Sequence, residues 1–358
     1  MTVITTTREL ENQCEILRAA KFATVDTEFL REKTYFPKLC LVQVCAEDGE
    51  PVAIDPLAEG VDLSPLGEFL RDKSVLKVFH AGRQDLEIFF NLFGYVPEPI
   101  FDTQVAAMVC GFGDSVGYQK LVQDICGEQL DKSHQFTDWE YRPLSDKQLK
   151  YALDDVTYLQ DIYKELSRQL DSRGRGKWLN EEMDILTDRQ TYECIPEEAW
   201  ERLKLKNTRP KTLAAAQALA AWRENEAMRK DIPRTWILRD DTLVDLAQRS
   251  PKNVKDLKRI RNFPSNREDS NLVKSVLRVL ADARDVETQD APEKIDRPHL
   301  DMSDTPTFEM LKMLLRIKAA ENEVAARVIA TQDELKRLAG EDAPDIKALR
   351  GWRREIFG

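Results

Sequence analysis

The sequence lacks any run of roughly 18 apolar residues, so no helical membrane span is expected. Residues 1–11 contain neither a basic segment nor an apolar one, and no secretory leader is expected. Cysteine is sparse: six residues (Cys14, Cys40, Cys45, Cys110, Cys126, Cys194) are scattered without a single CxxC pair. Cys40 and Cys45 fall inside an apolar strand pattern, where a thiol behaves as a small hydrophobe. Reduced, buried thiols in a cytoplasmic protein are therefore expected rather than disulfides or a zinc site. Neither a fixed-period repeat nor a long coiled-coil seam is visible, so a monomer without an obligate protein partner is the expectation.

Excess positive charge is also missing, since the net charge is −11. That sum argues against a nucleic-acid partner until its distribution is read. Between Lys206 and Asp285 there are 18 Lys and Arg against 11 Asp and Glu, a local +7 that leaves −18 for the remainder. A basic module on an acidic body suits a protein that touches phosphates in one place and gathers metal ions in another. The 42% hydrophobic content is enough for real cores, and 358 residues allow two or three domains at about 150 residues each.

The first part of the chain reads as α/β. Short β-prone stretches occur at 22–25, 39–46, 51–54 and 76–79, and helical patterns at 63–71, 84–93, 103–110, 118–126 and 145–170. Too few residues separate the first strands for a crossover helix, so these should form an antiparallel meander, with later strands alternating with helices. A mixed sheet covered by helices follows. After about residue 173 everything is helical, punctuated by Pro210, Pro233, Pro251 and Pro264. The polar, proline-containing stretch 286–298 reads as a linker. The expected domains are 1–170 (nuclease-like α/β), 171–204 (helical linker), 205–286 (helical) and 299–358 (a smaller helical unit).

Three local patterns carry chemistry. Asp26 and Glu28 stand two apart on a strand, so both project to the same side. Two such carboxylates repel unless a cation lies between them. Asp85 falls in the first turn of a helix that follows a strand and a small-residue turn, His80-Ala81-Gly82, where open α/β sheets place ligands. Tyr151 and Asp155 are four apart on one face of a long helix, beside an apolar stripe of Ala152, Val156 and Leu159. Each pattern alone has an ordinary structural reading: solvated acids, an acidic first turn, a helix face. Together they supply what phosphodiester cleavage requires. Hard divalent ions take oxygen ligands, and two of them about 3.5–4 Å apart activate water and stabilise the leaving oxygen. A tyrosine hydroxyl can orient or help deprotonate that water.

Asp26-Thr27-Glu28-Phe29, His80-Ala81-Gly82 with Asp85-Leu86-Glu87, and Tyr151 with Asp155 resemble the three motifs of the DEDD exonuclease superfamily in its tyrosine branch. Residues 26–44, then Lys132-Ser133, Thr137-Asp138-Trp139 and Arg142-Pro143-Leu144-Ser145, resemble the ribonuclease D family more closely. The stretch 219–260, with Trp222-Arg223, Ala227, Ile232-Pro233, Leu243, Leu246-Ala247, Pro251 and Leu257, is similar to the HRDC module, which binds nucleic acid in several families. The resemblance implies an RNase H-like exonuclease domain followed by HRDC-type helical domains, with 299–358 as a second, diverged copy. It implies Asp26, Glu28, Asp85 and Asp155 as ligands of two Mg²⁺ or Mn²⁺ ions and Tyr151 as the water-positioning residue. His80, Arg83 and Phe29 are expected beside the substrate.

The expected activity is a metal-dependent 3′→5′ exoribonuclease that trims single-stranded 3′ ends of structured RNA, tRNA precursors above all, and releases 5′-monophosphates. Two other readings compete. A DNA exonuclease of the proofreading kind shares the motifs, but no polymerase or helicase segment is read within these 358 residues and the likeness between the motifs is closer to ribonuclease D. A catalytically silent RNA-binding protein predicts a damaged ligand position, and all five positions are intact.

Overall fold

A computed structural model of the chain describes residues 2–131, 137–264, 270–293 and 298–358. Lys132-Ser133 and part of the expected linker, 294–297, lie outside the described residues. The chain divides into two compact units, Met1–Leu30 with Leu39–Tyr192 and Pro298–Gly358, and Arg31–Lys38 with Glu193–Arg297.

The first unit opens with β1 (Thr2–Ile4), α1 (Thr7–Ala19), β2 (Phe22–Leu30), β3 (Lys38–Ala46) and β4 (Val52–Ile54). It continues with α2 (Ser64–Arg71), β5 (Leu76–Phe79), α3 (Arg83–Phe93), β6 (Ile100–Asp102), α4 (Thr103–Val109) and α5 (Tyr118–Leu121), the last running into a π-helical turn at Val122–Cys126. The sheet order is β1-β4-β3-β2-β5-β6. β3 and β4 pair antiparallel, whereas β1 with β4, β2 with β5 and β5 with β6 pair parallel. This is the mixed, helix-covered sheet expected from the sequence. β1 and β6, three residues each, and α1 were not among the expected elements.

Two long helices follow, α6 (Asp146–Ser172) and α7 (Gly176–Thr187). α6 begins with a reciprocal cap: the Ser145 hydroxyl accepts from the Gln148 amide, and the Gln148 side chain reaches back to Ser145. Ala152, Val156, Leu159, Ile162 and Leu166 are buried along α6, at the spacing that docks one helical face on the sheet.

The second unit holds α8 (Pro210–Lys230), α9 (Arg234–Ile237), α10 (Asp240–Arg249), α11 (Val254–Leu257) and α12 (Asn271–Arg284) around its own core, which includes Leu219, Leu243, Leu246, Leu257, Val276 and Leu280. The expected boundaries shift here. Of the expected linker 171–204, α7 lies in the first unit, and the residues from Glu193 on lie in the second. The loop Arg31–Lys38, between β2 and β3, also belongs to the second unit. The Tyr35 hydroxyl donates to the buried Glu224 carboxylate at 2.6 Å, and the amides of Tyr35 and Phe36 donate to Asp231 at 3.0 and 3.1 Å.

The chain then returns to the first unit through α13 (Thr305–Glu321), α14 (Ala326–Ile329), α15 (Gln332–Gly340) and α16 (Gly351–Ile356). Residues 299–358, expected as a smaller helical unit, pack within the first unit. Phe308, Leu315, Val328, Ile329, Trp352 and Phe357 share one apolar core with the sheet, because these helices cannot bury such residues alone. Trp352 stacks on Trp178 at 4.1 Å between ring centres. Arg353 is buried, donates to the Val328 carbonyl at 2.8 Å and pairs with Glu181 and Glu182.

Candidate active site

β2 runs Phe22-Ala-Thr-Val-Asp-Thr-Glu-Phe-Leu30, and its alternation decides where the carboxylates go. Thr24 faces α6: its hydroxyl donates to the Val156 carbonyl at 2.8 Å. Asp26 and Glu28, at the same parity, follow it along that face. Asp155, the residue before Val156 on α6, meets them there. One carboxylate oxygen from each of Asp26, Glu28 and Asp155 lies within 4.8 Å of the others. All three are half-buried.

Asp85 stands beside this triplet, positioned by its own turn. Gly82 caps α3, and a Cβ there would meet Phe79 Cβ at 2.6 Å, so no other residue fits without displacing the turn. The Asp102 carboxylate accepts from the amides of Ala81 and Gly82 at 3.1 and 2.8 Å, and from Gln104 at 2.8 Å at the start of α4. One buried carboxylate thus fixes the turn that presents Asp85. Asp85 is buried, and its own carboxylate accepts the Thr27 hydroxyl, from the opposite face of β2.

The electrostatics record four acids sharing too little water. Burial, then Asp85, Asp155 and Glu28, holds Asp26 well above the usual carboxylate range. Burial, then Asp155 and Asp85, pushes Glu28 up to about 9. Burial raises Asp85 to about 7, opposed by the Thr27 hydroxyl, and raises Asp155 to about 7, opposed by its hydrogen bond from Tyr151. Hard divalent cations fit this donor set: only oxygen ligands, mutually repelling, three half-buried and Asp85 buried. Tyr151 is pushed upward by burial and then by Asp155, Glu28 and Asp26, so its hydroxyl keeps its proton and is a donor.

The other expected residues are placed less centrally. Phe29 packs against the main core. His80 is half-buried, its Nδ1 hydrogen-bonded to Thr103 at 2.9 Å, and burial lowers its pKa. Arg83 is exposed in the first turn of α3.

Three residues at the site were not among the expected site residues. Asp102 acts through backbone amides brought together only by folding. Tyr118 tilts against His80 and donates to the Asp154 carbonyl at 3.0 Å, and Asp155 and Asp26 lie close enough to raise its hydroxyl pKa after burial. Trp139 packs on Tyr151 with ring centres 6.1 Å apart. It is held there by Arg142, which pairs with both oxygens of Asp55 at 2.7 Å and donates to the Trp139 carbonyl at 2.7 Å. The local Thr137-Asp138-Trp139 and Arg142-Pro143 pattern was the available signal for Trp139.

Such a sheet, with acids converging where β2, α3 and α6 meet and with a separate helical unit, defines a 3′–5′ exonuclease joined to a helical accessory module. Family models agree: the 3′-5′ exonuclease domain matches residues 1–171 and the HRDC domain matches 212–271. A ribonuclease D of Nitrobacter hamburgensis is 48% identical over 363 residues, covering 100% of this chain and 93% of its own. Another, from Acidiphilium cryptum, is 46% identical, covering 99% and 91%. The crystal structure of Escherichia coli RNase D, described as an exoribonuclease involved in structured RNA processing, superposes with a TM-score of 0.86. It is 30% identical, over 99% of this chain and 96% of that one. The chain belongs to the ribonuclease D family and is a 3′–5′ exoribonuclease.

Proposed function

We propose that the enzyme removes nucleotides one at a time from single-stranded 3′ tails of structured RNA, tRNA precursors above all, releasing 5′-monophosphates with the help of two divalent ions. The observation that carries this reading is the convergence of Asp26, Glu28 and Asp155 within 4.8 Å. Asp26, Glu28, Asp85 and Asp155 would hold Mg²⁺ or Mn²⁺. Bound there, the ions supply an activated water and neutralise charge at the phosphodiester. Tyr151, its proton retained and shared with Asp155, orients that water by hydrogen bonding rather than acting as a base. Arg83, exposed beside Asp85, meets a substrate phosphate; His80 and Phe29 support the floor of the site.

The second unit would hold the folded body of the RNA through phosphate contacts while the tail enters the acidic site. Residues 299–358 we read as a diverged copy of the same helical module, absorbed into the nuclease core. The protein would act as a cytoplasmic monomer.

The test uses single-stranded RNA labelled at the 3′ or the 5′ end, with Mg²⁺, Mn²⁺ or EDTA, beside the Asp26→Ala variant. A ladder shortening from the 3′ end, dependent on metal and lost in the variant, is expected. Degradation of matched DNA with RNA left intact would overturn the substrate assignment.

A further inference from the structure

β3 reads Lys38-Leu-Cys-Leu-Val-Gln-Val-Cys-Ala46, and a glutamine in the middle of such a run is out of place. Gln43 is fully buried, and neither its amide nitrogen nor its amide oxygen has a hydrogen-bond partner among the described residues. Leaving a buried amide unpaired costs about 1–3 kcal/mol, so its neighbourhood matters.

That neighbourhood follows from the strand register. β3 lies next to β2. The Glu47 amide donates to the Phe22 carbonyl at 3.1 Å, and the Thr24 hydroxyl reaches the Cys45 carbonyl at 3.4 Å. The two strands therefore run antiparallel, with 22 opposite 47 and 24 opposite 45. The next pair two residues on is Asp26 opposite Gln43. The face is fixed as well. Thr24 bonds the Val156 carbonyl, and the Gln160 side chain donates to Cys45 Sγ at 3.0 Å, so both lie under α6. Asp26 and Gln43, each two residues further along its strand, share that face with Asp155. Side chains directly opposite on adjacent strands stand with Cβ atoms about 4.5–5.5 Å apart.

We infer that Gln43 is a positioning residue for Asp26: its side-chain amide, which makes no hydrogen bond here, is the donor that turns to the Asp26 carboxylate when a divalent cation binds. This rests on the reading of the acidic cluster as a metal site. A carboxylate accepts at about four lone-pair positions, so a donor from the neighbouring strand can hold one oxygen while the other faces the ion. Hydrogen bonds behind a ligand orient it and raise its affinity for metal.

The experiment compares Gln43→Met and Gln43→Leu in the full chain with wild type and Asp26→Asn. Mn²⁺ binding is measured by calorimetry, melting is followed in EDTA, and turnover is assayed on single-stranded RNA. Both Gln43 variants should melt in EDTA at or above the wild-type temperature, because an orphaned amide has been removed. Their Mn²⁺ affinity should fall about 10–100-fold, with kcat reduced and KM for RNA held. Unchanged Mn²⁺ affinity in both variants while Asp26→Asn weakens it overturns the assignment of Gln43 alone. Lower melting in EDTA with intact Mn²⁺ binding overturns it too, by making the residue structural. If Asp26→Asn itself binds Mn²⁺ as wild type does, the metal reading of the cluster fails, and the role of Gln43 fails with it.

Discussion

The four clustered acids make the stability of the metal-free protein depend on pH with an unusual sign. In the unfolded chain Asp and Glu titrate near pH 4, roughly 3.9 and 4.3. In the folded protein Asp85 and Asp155 sit at about 7, Glu28 at about 9 and Asp26 well above its usual range. A raised folded pKa means that the native state holds protons the unfolded state has released. The stability associated with these groups is therefore complete below about pH 4 and is lost as pH rises towards 7 and beyond. Each retained proton gives a slope of about 1.4 kcal/mol per pH unit. Counting only one such proton, metal-free enzyme loses about 3 kcal/mol between pH 5 and pH 7, which lowers Tm by roughly 6–12 °C for a unit of this size. Divalent cation should restore it, by about 2.7 kcal/mol at a hundredfold excess over Kd. The assay is thermal melting in EDTA at half-unit steps from pH 5 to 8, repeated with Mn²⁺ and with Asp26→Asn. The variant should melt higher than wild type in EDTA near pH 7.5 and show a flatter profile. Parallel profiles for wild type and variant would refute the electrostatic account of the site.

Tyr151→Phe keeps the half-buried ring but removes the hydrogen bond to Asp155; kcat should drop about 100-fold, with Mn²⁺ affinity by calorimetry close to wild type. Arg353→Ala leaves Glu181, Glu182 and the Val328 carbonyl without their shared buried partner. Urea denaturation should show a loss of about 3 kcal/mol, the lower end for breaking a buried ion pair because Glu181 remains half-exposed. Lys255→Ala with Arg259→Ala, both exposed on the second unit, should weaken binding to structured RNA and reduce the salt slope by about one per lost phosphate contact. Turnover of a short oligonucleotide by that variant should hold near wild type in a steady-state assay.

Much of the site was legible because its spacing is local. Asp26 and Glu28 share a face by the period of a strand, and Tyr151 and Asp155 by the period of a helix, whatever the rest of the chain does. The helical patterns at 63–71, 84–93 and 145–170 were readable for the same reason and appear as Ser64–Arg71, Arg83–Phe93 and Asp146–Ser172. What stayed hidden is non-local. Asp102 works through amides twenty residues away in sequence, and nothing around it distinguishes it from a helix cap. β1 and β6 are three residues long and gain their identity only from neighbours in the sheet. Gln43 sits in an apolar run where one polar residue looks tolerable, until the register sets it against Asp26.

The loop after the Asp26-Thr27-Glu28 strand changes how deletions should be read. β2 ends at Leu30, and the next eight residues, Arg31–Lys38, belong to the second unit, the last of them opening β3. Tyr35 delivers its hydroxyl to Glu224 of α8, and Asp231 binds the amides of Tyr35 and Phe36. Removing the helical module would therefore strip a half-buried hydroxyl and two amides of their partners in the segment that joins the strands of Asp26 and Gln43. Loss of turnover in such a deletion does not by itself identify an RNA contact, because the connection between two site-bearing strands is disturbed as well. Point changes on the exposed basic face leave Tyr35, Glu224 and Asp231 in place, so only they separate gripping the RNA from holding the catalytic strands.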